Sequence, residues 1–312
     1  MAGNFIVSGG AGFIGSHIAK RLLNEGNKVL IIDNLSTGDE KNLPKGAEFA
    51  KLDITKNEEI EKIPKGYFDG VFHLAAQSSG EISYEKPNLD LVSNAVGTHN
   101  MLRWCKKNGV KRFLHASSMA VYGNPKKLPV GEDAPCGPIS FYGISKFTAE
   151  QYVMHYFREG MHTTIFRMFS VYGPGQNLQN MKQGMASIYL AYMLEGKQVL
   201  VKGSKERFRD LIYIDDVVDA WMAALGNEKS YGKIYNLGCG KKVLVKEIVK
   251  AELEALGLGE NYPVKYEGST PADQFGLYAN VNMIKNELGW EPKVGFEEGI
   301  KKYVEYCRKQ KK

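Results

Sequence analysis

The stretch GGAGFIG, residues 9–15, decides the fold. It follows a short apolar run, NFIVS (4–8), and opens a segment, 13–24, whose apolar side chains recur at helical spacing. A second apolar run, KVLII (28–32), comes next. A strand, a glycine-rich turn, a helix and another strand in this order predict a βαβ unit.

The three glycines of this stretch have separate tasks in such a unit. Gly9 permits the tight turn, Gly12 lets the backbone approach a pyrophosphate, and Gly15 lets the helix pack closely on the strand. The start of the helix then offers free N–H groups and a positive dipole end to phosphates. A plain tight turn is the alternative interpretation.

Two carboxylates follow at the ends of predicted strands. Asp33 closes the second strand, where it can accept hydrogen bonds from the ribose of an adenosine. It would repel a 2′-phosphate, and no arginine follows it directly, so NAD is favoured over NADP. Asp53, in LDI at the end of a third strand, could reach the adenine. A turn residue and a surface carboxylate are the respective alternatives.

Strands and helices continue to alternate along the chain. The further predicted strands are VFHLA (71–75), RFLHAS (112–117), TTIFRM (163–168) and KIYNLG (233–238). This alternation predicts an α/β fold with a doubly wound parallel sheet, covered by helices on both faces.

The pattern changes after about Tyr172, where GPGQN (173–177) interrupts it. Helices are predicted at 184–195, 245–256, 282–288 and about 296–309. We expect the large sheet to hold residues 1–170 together with about 209–238. A smaller, discontinuous C-terminal lobe would hold about 171–208 and 239–312.

The charge balance argues against nucleic acid as a partner. The net charge is +6, from 41 basic and 35 acidic residues, and much of the excess lies in the tail after Gly299. Basic and aromatic residues do not alternate there as nucleic-acid binding would require, so the tail is interpreted as a solvated helix end. A mild positive charge suits a negatively charged small substrate.

The cysteines indicate a reducing compartment. The four are scattered without a CxxC pair, so neither zinc nor structural disulfides are expected. The run that begins at Asn4 leaves no room for a signal peptide, and no apolar stretch approaches the roughly 20 residues of a membrane span. We therefore expect a cytoplasmic protein with no metal and no membrane segment.

A tyrosine and a lysine lie four residues apart in YGISK (142–146). On a helix Tyr142 and Lys146 share a face. A free tyrosine has a pKa of about 10, but a neighbouring ammonium and a nicotinamide cation favour the phenolate. The spacing therefore suits a general base that acts on a sugar hydroxyl. A solvated helix face is the alternative.

Ser117 and Ser118 follow RFLHA at the carboxyl end of a predicted strand. Ligands bind at such ends in open parallel sheets. A hydroxyl there can bridge a substrate oxygen and the tyrosine, although a serine pair also satisfies a turn.

Together these residues resemble the extended short-chain dehydrogenase/reductase family, and within it the nucleotide-sugar epimerases and dehydratases. The resemblance covers essentially the whole chain. It rests on GGAGFIGSH (9–17), DNLSTG (33–38), LDI (52–54), HLAAQ (73–77), NAVGT (94–98), SSMAVYG (117–123), YGISK (142–146), FRMFSVYGPGQ (166–176) and RDLIYIDDVVDA (209–220).

The resemblance implies a Rossmann lobe that holds NAD and a C-terminal lobe that holds a nucleoside diphosphate sugar. Tyr142 would be the base, Lys146 would bind the nicotinamide ribose, and Ser118 would assist at the sugar C4 oxygen. The implied cofactor contacts are Gly9, Gly12, Phe13, Ile14, Gly15, Asp33, Asn34, Ser36, Thr37, Gly38, Asp53, Ile54, Leu74, Ala75, Ala76, Gln77, Asn94, Ser117, Tyr142, Lys146 and Phe169. The implied substrate contacts are Ser118, Ser170, Arg209 and Asp273, with Gln274 and Leu277 near the sugar.

The residues after Ser118 separate the subfamilies. The 4,6-dehydratases carry an Asp-Glu pair there, which protonates and deprotonates while water leaves, and this chain has Met119 and Ala120. The 4-epimerases have small or apolar residues there. Two departures concern the diphosphate, where the epimerases usually have an asparagine at the position of Ser170 and an arginine at that of Thr270. Arg209, Lys205 and Arg207 could compensate, or the substrate could sit differently.

The leading hypothesis is an NAD-dependent nucleotide-sugar 4-epimerase that acts on a UDP-hexose or UDP-N-acetylhexosamine. A dehydratase or reductase of the same fold is the runner-up, with Cys136 or Glu132 recruited for acid-base work. A non-catalytic NAD-sensing protein is the rival from another class, and it would be expected to lose Tyr142 or Lys146. The family also implies a homodimer, with helices around 90–107 and 141–157 in a four-helix contact.

Overall fold

The computed structural model describes residues 2–269 and 274–310. The strands are β1 (Asn4–Ser8), β2 (Lys28–Asp33), β3 (Glu48–Lys51), β4 (Gly70–His73), β5 (Arg112–Ser118), β6 (His162–Met168), β7 (Ser170–Tyr172), β8 (Val199–Lys202), β9 (Phe208–Arg209), β10 (Leu211–Tyr213), β11 (Lys233–Leu237), β12 (Val243–Leu244) and β13 (Val264–Glu267).

The helices confirm the predicted alternation. They are α1 (Phe13–Asn24), α2 (Asn57–Ile60), α3 (Gly80–Glu85), α4 (Pro87–Leu91), α5 (Gly97–Lys107), α6 (Phe141–Arg158), α7 (Met185–Leu194), α8 (Ile214–Leu225), α9 (Val245–Leu256), α10 (Asn282–Leu288) and α11 (Phe296–Gln310). A π-helical turn, Val92–Val96, joins α4 to α5, and a 3-10 turn, Met119–Tyr122, follows β5.

The central sheet has seven strands in the order β3-β2-β1-β4-β5-β6-β11, and all its neighbouring strands are parallel. The predicted doubly wound α/β fold is therefore confirmed. The chain builds outward from β1 through β2 to β3, then returns to the other side of β1 with β4. The strand order thus reverses between β1 and β4, and such a reversal opens a crevice at the carboxyl ends of the strands.

Both faces of the sheet are buried because successive side chains of each strand point to opposite sides. Phe72 of β4 packs in the core under α1 and α8, together with Trp221. Its neighbour Val71 packs in the core under α5 and α6, together with Leu102 and Val153. Because both faces of this sheet are buried, its strands have to be apolar along most of their length.

The C-terminal region is built differently from the sheet. Three small sheets pair β7 with β10, β9 with β12, and β8 with β13. Residues 209–238 were expected to join the large sheet. Only β11 of this range does so, after the helix α8, whereas β10 pairs with β7 outside that sheet. The division into two lobes stays a prediction. None of the described helices is long and apolar enough to cross a membrane.

Candidate active site

The carboxyl ends of β1, β2, β4 and β5 open onto one cavity of about 920 Å³. Most of the predicted cofactor contacts line it. They are Gly9, Gly12, Phe13, Ile14, Gly15, Asp33, Asn34, Ser36, Thr37, Gly38, Asp53, Ile54, Leu74, Ala75, Ala76, Gln77, Ser117, Tyr142 and Lys146. Topology brings these residues together from sequence positions more than a hundred residues apart.

The glycine-rich turn is shaped by contacts that leave no room for side chains. Gly9 has a φ of +75°, and a Cβ there would lie 2.5 Å from the Ala75 nitrogen. A Cβ on Gly15 would lie 2.2 Å from the Gly9 oxygen, within the backbone of the turn itself. Helix α1 begins after Gly12 without a side-chain cap, so no side chain takes up the N–H groups at its start.

Asp33 fixes the turn from the neighbouring strand. Its Oδ2 accepts a hydrogen bond from the Ala11 nitrogen at 3.0 Å, and its Oδ1 accepts one from the Leu35 nitrogen at 2.8 Å. The carboxylate thus joins the loops after β1 and β2 while it lines the cavity. A carboxylate oxygen has more than one lone pair, so both functions, turn residue and ribose acceptor, remain open to Asp33.

Asp53 lies two residues beyond the end of β3, because that strand ends at Lys51 and not at the LDI motif as predicted. Its Oδ1 accepts from the nitrogen and the hydroxyl of Thr55, at 2.9 and 2.7 Å. Partial burial opposes its charge, but hydrogen bonds from Thr55 and Asn34 outweigh this and lower its pKa. The side chain is an ionised acceptor on the cavity wall.

Tyr142 and Lys146 lie one turn apart on α6, and both line the cavity. The Lys146 Nζ donates to the Ala116 oxygen at 2.8 Å, and burial lowers the pKa of this lysine to about 8. Burial raises the pKa of Tyr142 to about 12, and a hydrogen bond with Ser118 only partly offsets it. Without a cofactor Tyr142 is therefore a phenol at neutral pH, and the lowering expected from the ammonium together with a nicotinamide cation stays a prediction.

The two serines at the end of β5 face different partners. Ser118 hydrogen-bonds with Tyr142, and its hydroxyl also accepts from the Ala120 nitrogen at 3.2 Å, which caps the turn Met119–Tyr122. Ser117 donates to Glu150 Oε1 at 2.5 Å. Ser118 is therefore joined to Tyr142, whereas Ser117 lines the cavity and is anchored to Glu150.

Glu150 is a residue that sequence reasoning missed. It follows Tyr142 and Lys146 by one further turn on the same face of α6, and it is fully buried. Arg167 of β6 donates to its two carboxylate oxygens, from Nε at 3.0 Å and from Nη2 at 2.8 Å. This ion pair ties the helix that carries the tyrosine and lysine to the sheet.

Asp90 of α4 is the second residue that was missed. It is fully buried and accepts hydrogen bonds from Gln77 Nε2 at 2.5 Å and Ser145 Oγ at 2.6 Å. Asn94, a predicted cofactor contact, lies behind the cavity wall, where its Nδ2 donates to Ser145 at 2.9 Å. The sequence signal that could have pointed to Asp90 is a charged residue within the otherwise uncharged segment NLDLVSNAV.

The remaining predicted contacts lie away from the cavity wall. Phe169 is buried in a small core with Tyr122 and Leu277. Ser170 begins β7, and Arg209 is buried in β9, where its Nη1 donates to the Phe208 oxygen at 2.7 Å. Asp273 and Thr270 lie outside the described residues. The substrate roles of these positions stay predictions.

Glu132 and Cys136, the residues considered for the acid-base work of a dehydratase, do not line the cavity. Glu132 Oε1 accepts from the Asn236 nitrogen at 2.9 Å, and burial raises the pKa of the Cys136 thiol. Residues 2–269 and 274–310 contain no group of three or more His, Cys, Asp or Glu side chains that could hold a metal ion.

The model of the NAD-dependent epimerase/dehydratase family matches residues 5–238, which include the whole central sheet. The chain belongs to this family. Its membership confirms the resemblance drawn from the motifs and confirms NAD as the cofactor of the class.

Relatives within the NAD-dependent epimerase/dehydratase family span the full length of the chain. A putative UDP-glucose 4-epimerase of Methanocaldococcus jannaschii is 36% identical over 97% of this chain and 98% of its own. The crystal structure of a Thermotoga maritima UDP-glucose 4-epimerase with UDP-glucose has a TM-score of 0.95 at 37% identity, over 99% of this chain and 100% of its own. UDP-glucuronic acid decarboxylase 3 of Arabidopsis thaliana is 32% identical, over 95% and 86%.

Proposed function

We propose that this chain is an NAD-dependent 4-epimerase of a nucleotide sugar, such as a UDP-hexose or UDP-N-acetylhexosamine. The observation that carries the proposal is the placement of Tyr142 and Lys146 at one cavity, with Ser118 hydrogen-bonded to Tyr142 and followed by two side chains that cannot exchange protons. Those side chains are Met119, which packs against a small apolar core, and Ala120. The family supplies the cofactor class, and these residues support a reaction that needs a single base.

The residues of the cavity fit NAD. Gly9, Gly12, Gly15 and the start of α1 would hold its diphosphate, because larger side chains would fill that space. Asp33 would accept from the adenosine ribose, and the remaining N–H groups of Lys146 would donate to the nicotinamide ribose. When bound, NAD supplies a hydride acceptor at its nicotinamide ring, the same hydride on return, and a positive charge beside Tyr142.

Tyr142 and Ser118 would carry the proton of the reaction. The phenolate of Tyr142 takes the proton of the C4 hydroxyl while the C4 hydride leaves, which produces a 4-keto sugar. Ser118 hydrogen-bonds both the tyrosine and the C4 oxygen. The keto sugar then turns, the hydride returns to its opposite face, and Tyr142 gives back the proton. One base is enough, because the hydride returns to the carbon and the proton returns to the oxygen from which each was taken.

A 4,6-dehydration needs more than this site offers. Loss of water from C5 and C6 requires one group to remove a proton and another to protonate the leaving hydroxyl. Met119 and Ala120 supply neither, and Glu132 and Cys136 lie off the cavity wall. These observations favour epimerisation over dehydration.

Decarboxylation is the second candidate, because decarboxylases of UDP-glucuronic acid are among the relatives. A 4-keto sugar with a carboxylate on C5 is a β-keto acid and loses carbon dioxide without a separate acid-base pair. The same Ser118, Tyr142 and Lys146 could serve both reactions. The substrate decides between them, so the two are separated by experiment.

Turnover of a panel of sugar nucleotides, followed by mass spectrometry, tests the proposal. The expected result is interconversion of UDP-glucose and UDP-galactose, or of their N-acetyl forms, with unchanged mass. Deuterium placed at C4 should remain in the product, because the hydride returns to the carbon it left. Loss of water would support the dehydratase, and loss of carbon dioxide from UDP-glucuronic acid the decarboxylase. Tyr142→Phe should lower kcat by about 10²–10⁴-fold and leave NAD binding intact.

We also propose a homodimer with α6 at its centre and a cytoplasmic location. Apolar side chains stand exposed along α6 and the adjoining π-helical turn, among them Ile144 at 47%, Tyr152 at 41% and Val96 at 41% exposure. A neighbouring set of exposed apolar side chains of this kind suits a second copy of the same chain.

Arg209 and Ser170 would contact the diphosphate of the substrate in the C-terminal lobe.

A further inference from the structure

The carboxyl group of Asp90 is surrounded by hydrogen-bond donors. Gln77 Nε2 and Ser145 Oγ donate to it at 2.5 and 2.6 Å, and Asn94 Nδ2 makes a longer contact of 3.5 Å with the same oxygen as Gln77. A protonated carboxyl would have to donate its own proton to some acceptor. Burial raises the pKa of this side chain, and the hydrogen bonds from Ser145 and Gln77 together with the positive charge of Lys146 oppose that effect by favouring the carboxylate.

These contacts connect the cavity wall to the helix that carries the reactive pair. Gln77 follows β4 and lines the cavity, and its Oε1 also accepts from the Ser79 nitrogen at 2.5 Å. Ser145 stands beside Lys146 on α6. Asp90 therefore fixes the position of Gln77 relative to α6, across two segments that are distant in sequence.

The charge of Asp90 acts on the same pair. Burial disfavours the ammonium of Lys146, and the negative charges of Asp90 and Glu150 oppose that effect by raising the pKa of this lysine. Glu150 is already paired with Arg167. Within residues 2–269 and 274–310 no cation forms an ion pair with Asp90, so no such partner neutralises the negative charge that acts on Lys146.

We propose that Asp90 is a positioning residue, whose charge keeps Lys146 protonated and whose hydrogen bonds hold Gln77 against α6. The expected change in kcat when Asp90 is replaced rests on the proposed function, whereas the expected change in the pKa of Lys146 does not.

Few other ionisable groups face Asp90. From α6 they are Tyr142 and Lys146. From α3, Glu81 and Glu85 pair outward with Lys202 and Lys182. The π-helical turn Val92–Val96 contributes no ionisable side chain, and Lys86, next to α4, is exposed. The titration of Lys146 is thus the direct readout of the charge on Asp90.

The first test is a carbon-13 NMR titration of the Lys146 Cε in the full chain, assigned with Lys146→Arg. Asp90→Asn should lower the pKa of Lys146 by about one unit or more, because an opposite charge nearby is lost. Ser145→Ala removes a donor but keeps the charge, so it should leave that pKa within a few tenths of a unit. Asp90→Glu should restore it. An unchanged pKa in Asp90→Asn would overturn the proposal.

The second test is the pH dependence of kcat on the substrate that the panel identifies. Asp90 raises the pKa of Lys146 and of Tyr142, so its loss should shift both limbs of the profile to lower pH. A merely structural role would lower the rate at every pH and shift neither limb. If Asp90→Asn does not fold, Asp90→Ser, with room for water, serves in both tests. Failure of the sugar panel would leave the Lys146 titration valid as a test.

Discussion

Glu150→Gln should destabilise the protein far more than a typical loss of one charge. The side chains of Arg167 and Glu150 are only 4% and 0% exposed, and two hydrogen bonds of 3.0 and 2.8 Å join them. The Arg167 guanidinium lies 4.7 Å from the centre of the Tyr122 ring, so it cannot reach water without disturbing the core. Removal of one partner leaves a buried charge uncompensated, which costs about 3–5 kcal/mol of the free energy of unfolding.

Urea unfolding followed by fluorescence measures this loss, provided that the slope of free energy against urea stays equal in all variants. A double-mutant cycle with Arg167→Met separates the pair from its surroundings. The double variant should lose much less than the sum of the single losses, because neither charge is then left alone in the interior.

A matched control is Glu159→Gln. Glu159 pairs with Lys106 at 2.8 Å on the surface, with the two side chains 36% and 55% exposed, so its loss should change the free energy of unfolding little. The reasoning is refuted if Glu150→Gln costs no more than this control, or if the losses in the cycle simply add. Either result would mean that the interior around Arg167 solvates its charge without Glu150.

Three further perturbations test other parts of the molecule. Gly15→Ala places a Cβ 2.2 Å from the Gly9 oxygen, so NAD affinity by calorimetry and Tm should both fall, whereas Gly259→Ala, with no atom in the way, should change neither. Burial raises the pKa of Glu252, so the folded protein holds a proton that the unfolded chain releases above about pH 4, and stability falls as the pH rises. Glu252→Leu removes this proton, so it should raise Tm at pH 8 much more than at pH 4. An equal gain in Tm at both pH values would exclude a titrating Glu252. Ile144→Glu should give the mass of a monomer in light scattering, and Tyr67→Glu, at a side chain 78% exposed on another surface, should leave the mass unchanged.

Much of the fold could be predicted because its determinants are local. Apolar runs on either side of GGAGFIG indicate the βαβ unit, and the observed boundaries of β1 and α1 are those predicted from the sequence. The placement of Tyr142 and Lys146 on one face of α6 was predictable for the same reason, since a four-residue spacing on a helix fixes which side chains share a face. In each case the neighbours in sequence are also the neighbours in space.

The environment of that pair was not predictable, because it depends on distant segments. Asp90 meets Ser145 across 55 positions, and Ser117 meets Glu150 across 33, through contacts that only the folded sheet creates. The pKa of Tyr142 shows the consequence. The sequence predicts a pKa lowered by Lys146 together with a nicotinamide cation, and it gives no sign that the completed interior buries the phenol and, without the cofactor, raises its pKa to about 12.

The buried charges near Tyr142 bear on its proposed role as a base. Lys146 and Arg167 are matched by Asp90 and Glu150, so these four buried side chains carry no net charge when all are ionised. Bound NAD would add the positive charge of its nicotinamide ring, which would favour ionised Tyr142, so the pKa of Tyr142 should fall by about 1–3 units.

Bound NADH would supply no such positive charge, so Tyr142 should hold its proton in that complex. The ultraviolet difference spectrum of wild type minus Tyr142→Phe, titrated with bound NAD and then with bound NADH, measures the phenolate in the two states. Equal pKa values in the two complexes would show that the cofactor charge does not control this proton, and the base would then have to be activated by the substrate.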